Sequence, residues 1–348
     1  SVDAGHQVTG LFMKNWEEDD DGVCAAATDL ADAAAVADSL GIELRTVNFA
    51  TEYWDRVFAN FLSEHERGRT PNPDVLCNRE IKFKEFRDHA ARLGANQVAT
   101  GHYARIRYGC DGRIRLLKAS DTAKDQSYFL HALSQEALRG VIFPLGEMNK
   151  QQVRAFAAGR RLVTHAKRDS TGLCFIGERP FREFLARFLQ GSPGPIVDEN
   201  DRQIGTHRGA AFYTIGQRQG LGIGGLAGYE GGDGWYVAAK DMAKNTLRVV
   251  PSGHHPALYS NTLRASATHW IGGAPPGMTF AASAKTRYRQ PDQACQVDVD
   301  VNDEIVVSFH QNQRAVTPGQ FVVLYADDEC LGGAAIEHCW QDSALHRR

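Results

Sequence analysis

DLADAAAVADSLGIELRTVNF, residues 29–49, decides the fold class. Its first twelve residues form an alanine-rich helix that Gly41 stops, and IELRTVNF (42–49) is a strand. Upstream, HQVTGLFMK (6–14) reads as a buried strand. Downstream, Trp54, Val57, Phe58, Phe61 and Leu62 fall at helical spacing. A further helix carries Ile81, Phe86, Ala90 and Leu93 and ends at Gly94, and NQVATG (96–101) is another strand. Strands alternating with helices imply a parallel, doubly wound sheet, whose ligands bind beyond the carboxyl ends of the strands. Those ends are Met13-Lys14-Asn15 and Thr100-Gly101-His102, so both are candidate sites.

The pattern then changes. ARIRYGCDGRIRLLKA (104–119) is a hairpin turning at Asp111-Gly112, and residues 134–162 look helical. Residues 191–250 carry short strands and much glycine, with nine of the nineteen residues from 216 to 234 being Gly. From about 251 onward Cys295, Val297, Val299 and Val301 alternate with polar residues, and EIVVSF and QFVVLY continue the β pattern, which suggests a small barrel or sandwich. The 348 residues, 43% apolar and 23% charged, suit a soluble globular chain of two or three domains. No run approaches the roughly 18 apolar residues that a membrane helix needs. Seven scattered cysteines with no Cys-x-x-Cys pair argue against a disulfide framework and against a zinc site, and favour a reducing cytosol. No metal site is predicted.

Four features could carry chemistry. GLGIGG (220–225) satisfies G-x-G-x-x-G, but no helix opens at its end to receive a pyrophosphate, so a mobile loop is the better reading. EEDDD (17–21) reads as a solvated acidic loop rather than a metal site. Net charge is −3, yet nine Lys/Arg against three acids fall between 150 and 187. The hairpin adds Arg105, Arg107, Arg113 and Arg115, and KTRYRQ (285–290) interleaves cations with a tyrosine. Solvated faces explain such clusters equally well as contacts to RNA with unstacked bases. Finally, TPNPDVLCNREIKF (70–83) reads as a rigid loop ending in Cys77 just before a helix, whose free N–H groups would stabilise a thiolate. Cys174 sits in a similar basic loop, in KRDSTGLCFIGERPFREFL (167–185). Each cysteine alone is more readily a small buried hydrophobe, and two thiols in basic, helix-preceding loops shift that balance modestly.

In order along the chain, GLFMKNWEEDD, GRTPNPDVLCNREIKF, ATGHYAR, KDQSYFL, DSTGLCFIGER, TIGQRQGLGIGG, KTRYRQ and VTPGQ closely resemble the bacterial tRNA-specific 2-thiouridylases. The resemblance runs from about residue 5 to the C-terminal end. It implies a multidomain α/β + β protein: an N-terminal Rossmann-like ATP-pyrophosphatase domain (1–140), a small central domain (141–250) and a C-terminal β-barrel that binds tRNA (251–348), with the loop 163–180 serving the active site. It implies an ATP-dependent, cytoplasmic sulfurtransferase acting on the wobble uridine in the tRNA anticodon loop, with Mg2+ accompanying ATP. A persulfide carrier or cysteine desulfurase relay would load the sulfur. Cys77 resembles the family's nucleophile and Cys174 the persulfide carrier, the two ending as a disulfide. Met13 and Gly101 match positions that touch ATP. Asn72, Pro73 and Asp74 match the segment around the target base, with Asp74 a plausible general acid/base. His102, Lys124, Asp125, Gln126, Arg287, Tyr288 and Gln320 match tRNA-contacting positions.

One departure stands at the start. The family opens with a strand and a phosphate loop of SGGVDSS type, whereas this chain passes from Ser1-Val2-Asp3 to Ala4-Gly5-His6, which matches the end of the helix after that loop. The expectation is that the protein itself contains the missing strand and loop. A chain truly lacking them should fail at ATP activation and remain a non-catalytic tRNA-binding protein. Another enzyme on the same ATP-dependent core is a further alternative, and it would not need both thiols.

Overall fold

The computed structural model describes residues 2–16, 25–167, 181–224 and 233–343. Contacts divide the chain into two compact units, Ser1–Ala59 with Pro73–Arg179, and Asn60–Asn72 with Pro180–Arg348.

In the first unit, β1 (Thr9–Lys14), α1 (Ala25–Leu40) and β2 (Glu43–Asn48) form a strand–helix–strand unit. The two strands pair in parallel from Thr9↔Glu43 to Lys14↔Asn48. Gly41 ends α1 at φ +64°, a left-handed conformation that glycine adopts without a Cβ clash. β1 is only partly buried, contrary to the fully buried strand expected from its apolar run. α2 (Ala50–Tyr53) continues through a π-helical stretch, Trp54–Phe58, into α3 (Ala59–Glu66), which belongs to the second unit from Asn60 onward. α4 (Pro73–Leu76), a second π-helical stretch (Cys77–Glu85) and α5 (Phe86–Arg92) likewise run end to end. Ile81 and Phe83 are buried from this helix, as are Val57, Phe58 and Leu130 of the same unit.

β3 (Val98–Ala99) precedes the predicted hairpin, β4 (Ala104–Tyr108) and β5 (Ile114–Lys118), which turns through Gly112 at φ +76°. α6 (Ser127–Leu130) and α7 (Gln135–Leu138) follow. The helix expected over 134–162 is interrupted. Gly140 at φ +73° ends the first piece, and Val141–Ile142 forms β6, parallel to β3. α8 (Lys150–Gly159) restarts from a capping box in which Asn149 Oδ1 accepts from Gln152 N at 2.9 Å and Gln152 Oε1 from Asn149 N at 2.8 Å. Among the described residues the parallel strands of this unit thus form two pairs, β1–β2 and β3–β6.

In the second unit, α9 (Phe181–Leu185) leads into the four-stranded sheet β8-β7-β10-β9. Its strands are β7 (Gly194–Val197), β8 (Gln203–His207), β9 (Tyr236–Asp241) and β10 (Thr246–Val250). Next come β11 (Tyr259–Trp270), β12 (Thr279–Lys285), β13 (Gln293–Val299), β14 (Ile305–Arg314), β15 (Phe321–Ala326) and β16 (Glu329–Trp340). Their order is β11-β14-β13-β12-β15-β16, and β11 pairs with β16 to close a six-stranded barrel. Leu263, Val297, Val307, Leu324 and Ile336 fill it. The predicted inward alternation holds for Cys295, Val297 and Val299 but not for Val301, which is 93% exposed. There the Asp300 carboxylate accepts from Asn302 N and Glu304 N, and this tight turn ends the strand. The segment 60–72 packs into this unit as well: the Phe61 and Phe181 rings lie 6.2 Å apart, and His65 Nδ1 is 3.3 Å from Ala211 O. No helix among the described residues is long and apolar enough to cross a membrane.

Candidate functional site

Asn-Pro-Asp reads as loop, yet Pro73 is the first residue of α4. Proline is at home at a helix's first position, because its missing N–H would be unpaired there and its φ is already helical. Cys77 therefore lies inside the helix and is 2% exposed. The expectation of a thiol in a loop ahead of a helix N-terminus is corrected. The free N–H groups belong to the helix's first turn, from residue 74 onward, and Cys77 begins the π-helical stretch instead. That stretch closes with the N–H of Phe86 on Ile81 O, five residues back. Short π-helical stretches are rare and gather at functional sites.

Asp74 and Cys77 stand three residues apart and so share a helix face. Burial raises the Asp74 carboxyl above its ordinary range, and the positive charge of Lys82 works against that rise. The same ammonium acts on His102 beyond the end of β3, where burial lowers the imidazole to about 3 and Lys82 adds to the effect. The His102 ring sits 5.5 Å from Phe83 and 6.0 Å from Phe143, with Nδ1 2.9 Å from Thr100 Oγ1. His102 is a neutral group at ordinary pH. Gly101 beside it is exposed, and a Cβ added there would meet nothing closer than Leu145 Cδ1 at 3.9 Å. Asp74, Cys77, Lys82 and His102 are thus gathered around one helix.

The turn 124–126 braces this region. Gln126 Oε1 accepts from Tyr103 N at 3.0 Å and Gln126 N donates to Tyr103 O at 2.8 Å. Buried Asp125 accepts from Ala119 N, Ser127 N and Ser127 Oγ at 3.0, 3.2 and 2.9 Å. Those side chains hold the backbone that follows His102, and Lys124 beside them is half-buried. Sequence reasoning missed Asn78, buried next to the thiol, whose Nδ2 donates to Phe129 O at 3.1 Å and ties the helix to α6. An amide following directly on a candidate nucleophile was the available signal.

Met13 sits half-buried near the end of β1, paired with Val47. A cavity of ≈680 Å³ lies against β1 and α1, lined by Gly10, Phe12, Asp29, Asp32 and Lys167 among others. Thr164 and Lys167 of the loop 163–180 line it, but none of the individually named site residues does. Lys167 is held there by Asp29 at 2.7 Å and by Asp32, so the carboxylates neutralise the cation that a phosphate would need.

In the second unit, Gln320 Nε2 donates to Thr70 O at 2.7 Å, two residues before the half-buried Asn72. Arg287 donates to Arg314 O at 2.6 Å, and the Arg289 guanidinium lies 5.5 Å from the Tyr288 ring centre. GLGIGG opens no helix over its described residues 220–224. Cys174, the acidic run 17–21 and the C-terminal part of the loop 163–180 lie outside the described residues. No group of three His, Cys, Asp or Glu that could hold a metal ion occurs among the described residues.

Three family models match in chain order: a tRNA methyl transferase HUP domain over 2–178, a tRNA methyl transferase PRC-barrel domain over 182–251 and an aminomethyltransferase β-barrel domain over 260–336. The chain is 55% identical over 344 residues to the tRNA-specific 2-thiouridylase MnmA of Marinobacter nauticus, covering 98% of this chain and 87% of that protein. It is 56% identical over 340 residues to the protein of the same name from Paracidovorax citrulli, covering 95% and 90%. With that from Cupriavidus metallidurans it shares 55% over 334 residues, covering 96% and 93%. The chain belongs to the tRNA-specific 2-thiouridylase family. Its architecture is that of the family: a Rossmann-like HUP domain, a PRC-barrel-like middle domain and a C-terminal β-barrel, here closed by six strands.

Proposed function

We propose that the protein is a transferase that replaces O2 of the tRNA wobble uridine with sulfur, using ATP as co-substrate. Family membership supports thiolation of a tRNA uridine. The observation that carries the reading is the shared face of Asp74 and Cys77 on a helix that begins at the Asn72-Pro73-Asp74 segment. O2 is a poor leaving group, and ATP supplies the activation by turning it into the ester oxygen of departing AMP. The terminal sulfur of a Cys174 persulfide then attacks C2 and AMP leaves with O2, which gives C2–S–S–Cys174. The Cys77 thiolate attacks the Cys174 sulfur. That step breaks the S–S bond to the base, leaves a thiocarbonyl on C2 and joins Cys77 to Cys174. A thiol reductant then returns both cysteines, and a persulfide donor reloads Cys174. Asp74, held toward its protonated form by burial, can exchange a proton with the reacting oxygen. Met13 and Gly101 are assigned to ATP. The space at Gly101, where a Cβ would meet only Leu145 Cδ1 at 3.9 Å, suits a close-lying phosphate or ribose. A single-stranded anticodon loop lets the base leave its stack at low cost.

The family models' descriptions favour a second reading, methyl transfer to tRNA. Mass spectrometry of nucleosides from tRNA treated with the protein, ATP and a persulfide donor separates the two. Exchange of oxygen for sulfur at the wobble uridine, matched by AMP release and abolished in Cys77→Ser and Cys174→Ser, is the expected result. A mass gain of one methylene, or full thiolation by either variant, overturns the proposal. Retained tRNA binding with no chemistry returns the protein to the non-catalytic class.

A further inference from the structure

Resting on that reading, we infer that the barrel anchors the segment 69–72 through Arg69 and Thr70, which makes Arg69, Glu337 and the turn 317–320 positioning residues for Asn72 and so for sulfur transfer. Arg69 lies three residues before Asn72 and makes a forked contact with Glu337 of β16: Nη1 reaches Oε1 at 3.2 Å, and Nη2 bonds Oε2. A planar fork on a carboxylate fixes direction as well as distance. Ser266 Oγ of β11 donates to the same carboxylate at 2.5 Å, so Glu337 is itself held. The next residue is gripped on both sides. Thr70 N donates to Pro318 O at 2.9 Å, and Thr70 O accepts from Gln320 Nε2 at 2.7 Å. Its hydroxyl is 3.2 Å from Thr214 Oγ1.

The close approach is written into the glycine between those partners. Gly319 has φ +90°, and a Cβ there would stand 2.9 Å from both Arg69 Cβ and Thr70 N. Alanine at 319 would therefore push the segment off the barrel. These contacts to residues 69 and 70 come from barrel strands, the 317–320 turn and Thr214. From Thr70 the chain is two residues from Asn72, which the proposed reading places beside the target base. In this arrangement Gln320 Nε2 holds the protein backbone.

Two readouts test the inference, one of them independent of catalysis. Hydrogen exchange of the full protein should speed up across residues 69–72 in Arg69→Ala and in Gly319→Ala, with the rest of the barrel unchanged. Unchanged exchange there overturns the inference whether or not the enzyme is active, whereas an inactive wild type counts against the functional reading alone. In the thiolation assay Arg69→Ala should lower kcat by about a hundredfold, the usual effect of misplacing a reacting group by an ångström. The tRNA dissociation constant and its salt dependence should stay put. The charge swap Arg69→Glu with Glu337→Arg should recover part of kcat. A Gln320→Ala variant that weakens tRNA binding at unchanged kcat would make Gln320 an RNA contact and overturn its assignment here.

Discussion

His65 shows how one side chain sets a pH limit. It is 3% exposed, against the rings of Phe61 and Phe181, with Nε2 lacking a partner, and burial lowers it from 6.5 to about 4. As pH falls below about 6.5 the unfolded chain takes up a proton that the folded chain refuses. Stability is therefore full above 6.5 and is lost progressively down to about 4, by about 2 kcal/mol at pH 5 from this group alone. His102, lowered to about 3, has the same sign. Asp74 has the opposite sign, because a carboxyl raised by burial keeps its proton in the folded state above the ordinary carboxylate range. Melting temperature should thus drop between pH 7 and pH 5, and His65→Phe should flatten the drop. An equal slope in the variant would exclude His65 as its source. Neither histidine shift was legible in the sequence, since both depend on what packs against the ring.

At the scale of elements, legibility followed local patterning. The hairpin turn at Asp111-Gly112 and the alternation in β13 were readable because turn residues and period-two burial are local signals. The start of the thiol-bearing helix was misread because Asn-Pro-Asp satisfies both a loop signature and a helix start, and only tertiary packing decides between them. The π-helical register at Cys77 leaves no mark on residue spacing that a 3.6-residue period would expose. Barrel closure was likewise open between barrel and sandwich, and it depends on one close approach. Gly332 of β16 lies opposite Trp270 at φ +142°, and a Cβ there would stand 1.9 Å from His269 O on β11. Gly332→Ala should cost about 3 kcal/mol through overpacking and backbone strain, read as a lower denaturant midpoint. A shift below about 1 kcal/mol would mean that the closing pair β11–β16 yields without consequence.

Over the whole molecule the sequence showed basic clusters in an acidic chain but not which cations are already spent. Arg160 is paired with Asp3, Lys167 with Asp29 and Asp32, Arg115 with Asp111, and Arg287 is turned onto a backbone carbonyl. By contrast, Arg107 and Arg113 on the hairpin are exposed and make no ion pair among the described residues. Tyr108 between them is 65% exposed. Two unpaired cations suit an RNA backbone, and the exposed Tyr108 ring on the same hairpin suits a stacked base. Only cations that exchange solvent counterions for phosphate contribute to the salt slope, because a paired arginine must first give up its carboxylate. Arg107→Ala and Arg113→Ala should therefore each weaken tRNA binding and reduce the slope of log affinity against log salt by about 1. Tyr108→Ala should weaken binding with the slope intact, and Arg160→Ala should leave both unchanged. Equal losses at Arg107 and Arg160 would show that intramolecular pairing does not predict which cations meet RNA, and would leave the hairpin arginines no more suited to RNA than any others.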